Sequence, residues 1–86
     1  MINLITADGK TFEIEWIGIS TLDGALRFGV KNVEVGELLT TFTNPKSSTV
    51  LTRSFDGEEK RFEGYTVFRG ITVDYDGVII VALSKI

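Results

Sequence analysis

Eighty-six residues with a formal net charge of −3 make a one-domain chain, near the lower size at which a polypeptide folds alone. Hydrophobic residues are 43% of it, enough for one core, and nine basic residues interleaved with twelve acidic ones leave no basic stripe to neutralise nucleic-acid phosphates. Cysteine and histidine are absent, which excludes a disulfide-stapled secreted module and removes the thiol nucleophile, the commonest general base and the usual zinc ligands.

Ile2, Leu4 and Thr6 alternate with Asn3 and Ile5 in a first strand. Ala7-Asp8-Gly9-Lys10 then turns the chain, since Asp-Gly between alternating runs is a strong hairpin signal. Thr11 to Ile19 is a second strand, with Phe12, Ile14 and Trp16 on one face and Thr11, Glu13 and Glu15 on the other. Apolar parity flips at Ile17-Gly18-Ile19, which a β-bulge or twist near Gly18 would permit, because the side-chain period of a strand is two. Leu22-Asp23-Gly24 makes the next turn, and Leu26, Phe28 and Val30 line one face of a third strand.

Val35, Leu38, Leu39 and Phe42 fall at i, i+3, i+4 and i+7, the spacing of one helical face. With Glu37 in the first turn and Asn44-Pro45 as a stop, this predicts a short helix over residues 36–43. Lys46-Ser47-Ser48 is a loop, and Thr49 to Phe55 is a strand rich in β-branched residues, ended by Asp56-Gly57. Lys60 to Val73 follows, with Gly64 placed where a bulge moves Tyr65 and Val67 onto the face of Phe62. The turn Asp74-Tyr75-Asp76-Gly77 delivers a last strand, Val78 to Leu83, whose unbroken apolar run predicts burial on both faces, or cover by the helix on one and a partner on the other.

An order of features occurs twice. Asp8-Gly9, Phe12-Glu13, Gly18-Ile19-Ser20 and Asp23-Gly24 lead into Leu26-Arg27-Phe28. Asp56-Gly57, Phe62-Glu63, Gly70-Ile71-Thr72 and Asp76-Gly77 lead into Ile79-Ile80-Val81. This pattern predicts an approximate duplication, with units at about 1–31 and 49–86 inside a single domain spanning 1–86. The expected fold is α+β and mainly β. Two antiparallel three-stranded meanders are joined by a short helix and packed as a small sandwich or partly closed barrel.

Catalytic chemistry has little to rest on. Glu13 and Glu15 lie two apart on a strand and project together, which is also the pattern of a solvated strand face. Asp74 and Asp76 resemble the opening of a calcium loop, but Ile80 and Val81 stand where later oxygen ligands belong. Asp-Gly in a tight turn explains them instead. No phosphate-binding glycine pattern occurs. No catalytic, cofactor-binding or metal-binding residue is assigned, and no cofactor is expected. The longest apolar run is too short to span a bilayer, and an N-terminus with Asn3 and Asp8 does not read as a signal peptide. The expected setting is therefore cytoplasmic or virion-associated, without membrane insertion.

Several of these features carry a resemblance: Asp8-Gly9 with Trp16, Phe42-x-Asn44-Pro45, Gly64-Tyr65-Thr66, and Asp76-Gly77 before a terminal apolar strand. Together they resemble a group of short proteins encoded in the tail and baseplate gene regions of phages and prophages of Gram-positive bacteria. The likeness covers most of the chain. It implies a structural or assembly role and supplies no catalytic residues.

The function expected from these readings is a non-enzymatic structural and protein-interaction module, a component of a phage-type assembly. It would self-associate through sheet edges, with protein partners and no nucleic acid. The candidate interaction surface is Trp16, Tyr65, Tyr75, Ile79 and Val81, with Trp16 assigned to the core or an interface. The alternative is a carbohydrate- or peptide-binding β module, which needs at least two of the rings Trp16, Tyr65 and Tyr75 exposed on one surface. A third reading, a carboxylate hydrolase, needs Glu13 and Glu15 in a concave pocket.

Overall fold

In the computed structural model, which describes residues 1–86, seven strands and one helix follow one another along the chain. They are β1 (Ile2–Ile5), β2 (Thr11–Ile19), β3 (Leu26–Val30), α1 (Val35–Phe42), β4 (Val50–Phe55), β5 (Glu58–Glu63), β6 (Val67–Val73) and β7 (Ile79–Ser84). All strands join one antiparallel sheet in the order β5-β4-β1-β2-β3-β7-β6. The chain is mainly β with one short helix, the class that its patterning predicts.

The four Asp-Gly pairs all reverse the chain between neighbouring strands: β1–β2, β2–β3, β4–β5 and β6–β7. What repeats in the sequence is this turn chemistry. The first three strands form the expected meander. The second set is divided, because β4–β5 attaches beside β1 while β6–β7 attaches beside β3, at opposite ends of the sheet.

Gly64 makes that division. Its φ is +85°, and its N–H closes the β4–β5 ladder on Thr49 O at 3.0 Å. The chain then leaves the sheet through Gly64-Tyr65-Thr66 and enters β6 at the far end of the strand order. The position read as a bulge within one strand is a boundary between two. Four residue steps from Glu63 to Val67 reach at most about 14 Å, so the two edges of the sheet come close at this corner without pairing.

A sheet that brings its own edges together must curl. A flat sheet has one short dimension, whereas this molecule measures 30 × 29 × 26 Å. Its concave face gathers apolar side chains from every strand into one core. Leu4, Phe28, Leu51, Val81 and Leu83 are fully enclosed there, with Phe62 from β5 and partly buried Phe68 and Ile71 from β6. Helix α1 lies over this face and buries Leu38, Thr41 and Phe42. The Phe42 ring packs against Phe28 at 5.1 Å and Phe12 at 5.6 Å between centroids. Val35 and Leu39, the other two positions of the predicted stripe, remain substantially exposed.

The β-bulge of β2 falls at Glu15, three residues before Gly18. The register runs Ile14↔Val30 and then Trp16↔Gly29, so Glu15 is the extra residue. From there Ile17 opposes the buried Phe28 and Ile19 opposes Leu26. Parity has flipped before Trp16. Trp16 therefore stands on the convex face, opposite to Phe12 and Ile14, which corrects the face that alternation assigns to it.

The turn between β1 and β2 is tied to the loop after α1 by a polar cluster. Thr6 Oγ1 donates to Asp8 Oδ1, Ser47 Oγ donates to Asp8 Oδ2 at 3.2 Å, and Ala7 N–H donates to Ser47 O at 2.9 Å. Lys10 Nζ adds a bond to Thr41 Oγ1 at 3.1 Å. Thr6, Thr41 and Ser47 are buried, and these bonds satisfy their hydroxyls, as burial of polar groups requires.

Candidate functional site

Of the five residues expected to form an interaction surface, three are interior. Val81 is fully enclosed, Ile79 is 8% exposed and Tyr65 is 6% exposed. The terminal strand explains the first two: Ile79, Val81 and Leu83 point into the concave face, and Ile80 and Ala82 point outward. Tyr65 packs edge-on against Phe62 at 6.5 Å and plugs the corner where the sheet edges approach. These three leave the candidate surface. Trp16, 39% exposed, and Tyr75, fully exposed, remain on the outside.

Tyr75 rides on a turn held by Asp74. Asp74 Oδ1 accepts from Asp76 N–H at 2.9 Å and Val78 N–H at 3.0 Å, and Asp74 N–H donates to Val78 O at 3.0 Å. That carboxylate is occupied by its own turn. Nowhere do three side chains of the Asp, Glu, His and Cys set gather into a metal-holding group. Glu13 and Glu15 border a depression of about 210 Å³ with Lys31, Asn32 and Val33. Glu15 Oε1 lies 3.8 Å from Lys31 Nζ.

The convex face over β3, β7 and β6 forms a groove of about 420 Å³. Ala25, Gly70, Ile80 and Ala82 line it, with Arg27 and Arg69 among the polar residues. Asp23 holds Arg27 through two hydrogen bonds, from Nη1 to Oδ1 at 3.2 Å and from Nη2 to Oδ2 at 2.9 Å. The guanidinium that donates these bonds holds the Asp23 carboxyl far below its ordinary range, with the Ala25 N–H acting in the same direction. Arg69 enters no ion pair.

The two strands that end the sheet differ sharply. In β5, Glu58-Glu59-Lys60-Arg61-Phe62-Glu63, only Phe62 is uncharged. In β6, Val67-Phe68-Arg69-Gly70-Ile71-Thr72-Val73, only Arg69 is charged. Charged side chains along an edge oppose pairing with another strand, so β5 is guarded along its length. The one device on β6 is a bulge between Phe68 and Gly70, which leaves Gly70 to Val73 in regular register with β7. Asp74 N–H points at β7, and alternation along an antiparallel ladder turns Thr72 N–H the same way. The N–H groups of Ile71 and Val73 then face the open edge, beside a Val73 side chain that is 63% exposed.

Sequence reasoning anticipated open edges but not which strand would carry one, because strand order was not readable. No helix is long and apolar enough to cross a membrane. Compared with known proteins, the chain matches no family model, no curated protein and no solved structure.

Proposed function

We propose that this chain is a non-enzymatic interaction module that pairs with a second copy of itself through the edge of β6. The observation that carries this reading is the contrast between the two edges. One is charged at five of six positions, and the other presents unpaired backbone groups beside the exposed Val73 side chain. Backbone pairing at such an edge supplies affinity, and flanking side chains supply register. Trp16, Ile80 and the groove over β7 extend the surface available to a partner on the convex side. The resemblance to phage tail and baseplate-region proteins supports a structural assembly as the setting in which such a module works.

The test is molar mass by light scattering after gel filtration, over a wide range of protein concentration. The protein is expected to reach a multiple of its 9.5 kDa chain mass. Val73→Pro removes an outward N–H at an exposed edge position, and Val73→Lys places a charge there. Both variants are expected to stay monomeric with the fold intact by circular dichroism. Wild-type protein that remains a monomer at every concentration would end the reading.

A further inference from the structure

Inside the mouth of the curled sheet, two cations face each other. Arg53 of β4 and Lys60 of β5 are directly opposed in register. They stand on the concave face, one step beyond the buried pair Leu51 and Phe62. Like charges at opposed positions of an antiparallel pair repel. Neither has an ion-pair partner, since the ion pairs of the molecule are Asp23–Arg27, Glu15–Lys31 and Glu63–Arg61. Glu58, two residues before Lys60 on the same face, opposes Phe55 and pairs with neither. Arg53 Nε is buried and donates to nothing, a costly condition for a charged donor.

The neighbouring aromatics hold more positive charge at this corner. Lys60 Nζ lies 5.3 Å from the Phe62 ring centroid, and Lys85 Nζ lies 5.1 Å from that of Tyr65. The two rings are in edge contact. Two cations, Lys60 and Lys85, are thus held about one aromatic pair, with Arg53 opposite Lys60 in register and no ion-pair partner for any of the three, in a chain whose net charge is negative. Such repulsion destabilises the fold unless an anion relieves it.

We propose that Arg53 and Lys60, flanked by Lys85, form a binding site for an oxyanion, the carboxylate of a peptide or a phosphate group. The two Nη groups of Arg53, which are not sealed in like Nε and make no hydrogen bond within the chain, offer donors to the oxygens of one group, and Lys60 adds a point charge from the facing strand. Binding removes the repulsion between the two facing strands.

Thermal unfolding in sodium phosphate, sodium acetate and sodium chloride at equal ionic strength tests this. The wild-type Tm is expected to rise several degrees further in phosphate, acetate or both than in chloride. Phosphate also stabilises folded proteins generally, so the larger of the two excesses lost in Arg53→Met identifies the preferred oxyanion. Arg53→Met keeps the stem and removes the charge. It is expected to match or exceed the wild-type Tm in chloride and to lose the excess. Lys60→Gln, at an exposed position, is expected to reduce it. No excess over chloride in the wild type would overturn the proposal. So would an equal excess in both variants, which is the signature of a general salt effect.

Discussion

Trp16 covers Gly29 so closely that a Cβ at position 29 would stand 2.7 Å from the indole Nε1 and 2.7 Å from Val78 Cγ1. The pair faces across β2 and β3 on the convex side, brought into register by the bulge at Glu15. A glycine is needed here for space. Gly29→Ala is expected to push the half-exposed indole outward and to destabilise the fold by about 1–3 kcal/mol, the range for overpacking. Urea unfolding gives the stability change, and a red shift of tryptophan emission reports the displaced ring. An unchanged emission spectrum together with unchanged stability would show that Trp16 does not rest on Gly29.

Acid should weaken the fold through Asp23 and Asp8. Asp23 is lowered by the hydrogen bonds from Arg27, and Asp8 chiefly by the hydroxyl of Thr6. A carboxylate whose folded pKa is depressed contributes stability that is complete above its unfolded pKa, about 3.9. That contribution is lost as pH falls through the lower folded value. Tm is therefore expected to drop as the solution is taken from about pH 5 to about pH 2, with a shallower drop in Asp23→Asn. Both groups are solvent-exposed, so each change should be small. An identical acid limb in wild type and Asp23→Asn would remove Asp23 from this account.

Ser47 joins two loops that are distant in sequence. Ser47→Ala deletes the hydroxyl bond to Asp8 Oδ2 and leaves the backbone bond from Ala7 in place. Loss of one such bond costs about 1 kcal/mol. The urea midpoint should fall while the slope stays constant. An unchanged midpoint would mean that the backbone bond alone fixes the two loops.

At Gly64 the cost would be conformational. The nearest atom to a Cβ there is Lys85 Cγ at 4.0 Å, so there is room, but φ is +85°. Gly64→Ala is expected to destabilise by about 1–2 kcal/mol from left-handed backbone strain. Hydrogen exchange should quicken at Gly64 and Phe62, near the end of the β4–β5 ladder, before it changes in β2 or β3. Uniform change across the sheet would contradict a local origin.

These residues also mark what the sequence made legible. Asp-Gly turns and the i, i+3, i+4, i+7 stripe before Asn44-Pro45 are local signals, and each found its element. Glu15 carries no sign that it is the extra residue of a bulge, and that single position decided which way Trp16 faces. Gly64 satisfies a bulge and a strand end equally well from its neighbours alone. Which one it makes depends on whether the following strand pairs with β4 or β7, a long-range choice. The same choice decides that β6 is an edge and that Ile79 and Val81 are interior, so apolar character near the C-terminus could not separate a contact surface from the core. The opposition of Arg53 and Lys60 was within reach, because a two-residue turn at Asp56-Gly57 fixes that hairpin register.

The passage through Gly64, Tyr65 and Thr66 gives the molecule a topological property that no ladder provides. In a closed barrel the last seam is a row of hydrogen bonds, and opening it breaks them. Here a stretch of main chain holds that seam, with the Tyr65 ring set into it. No inter-strand hydrogen bond crosses that seam, so the covalent tether and the apolar core shared by both edges hold it. Cutting the chain within those three residues would remove the tether and leave every strand pair, and the core between them, intact.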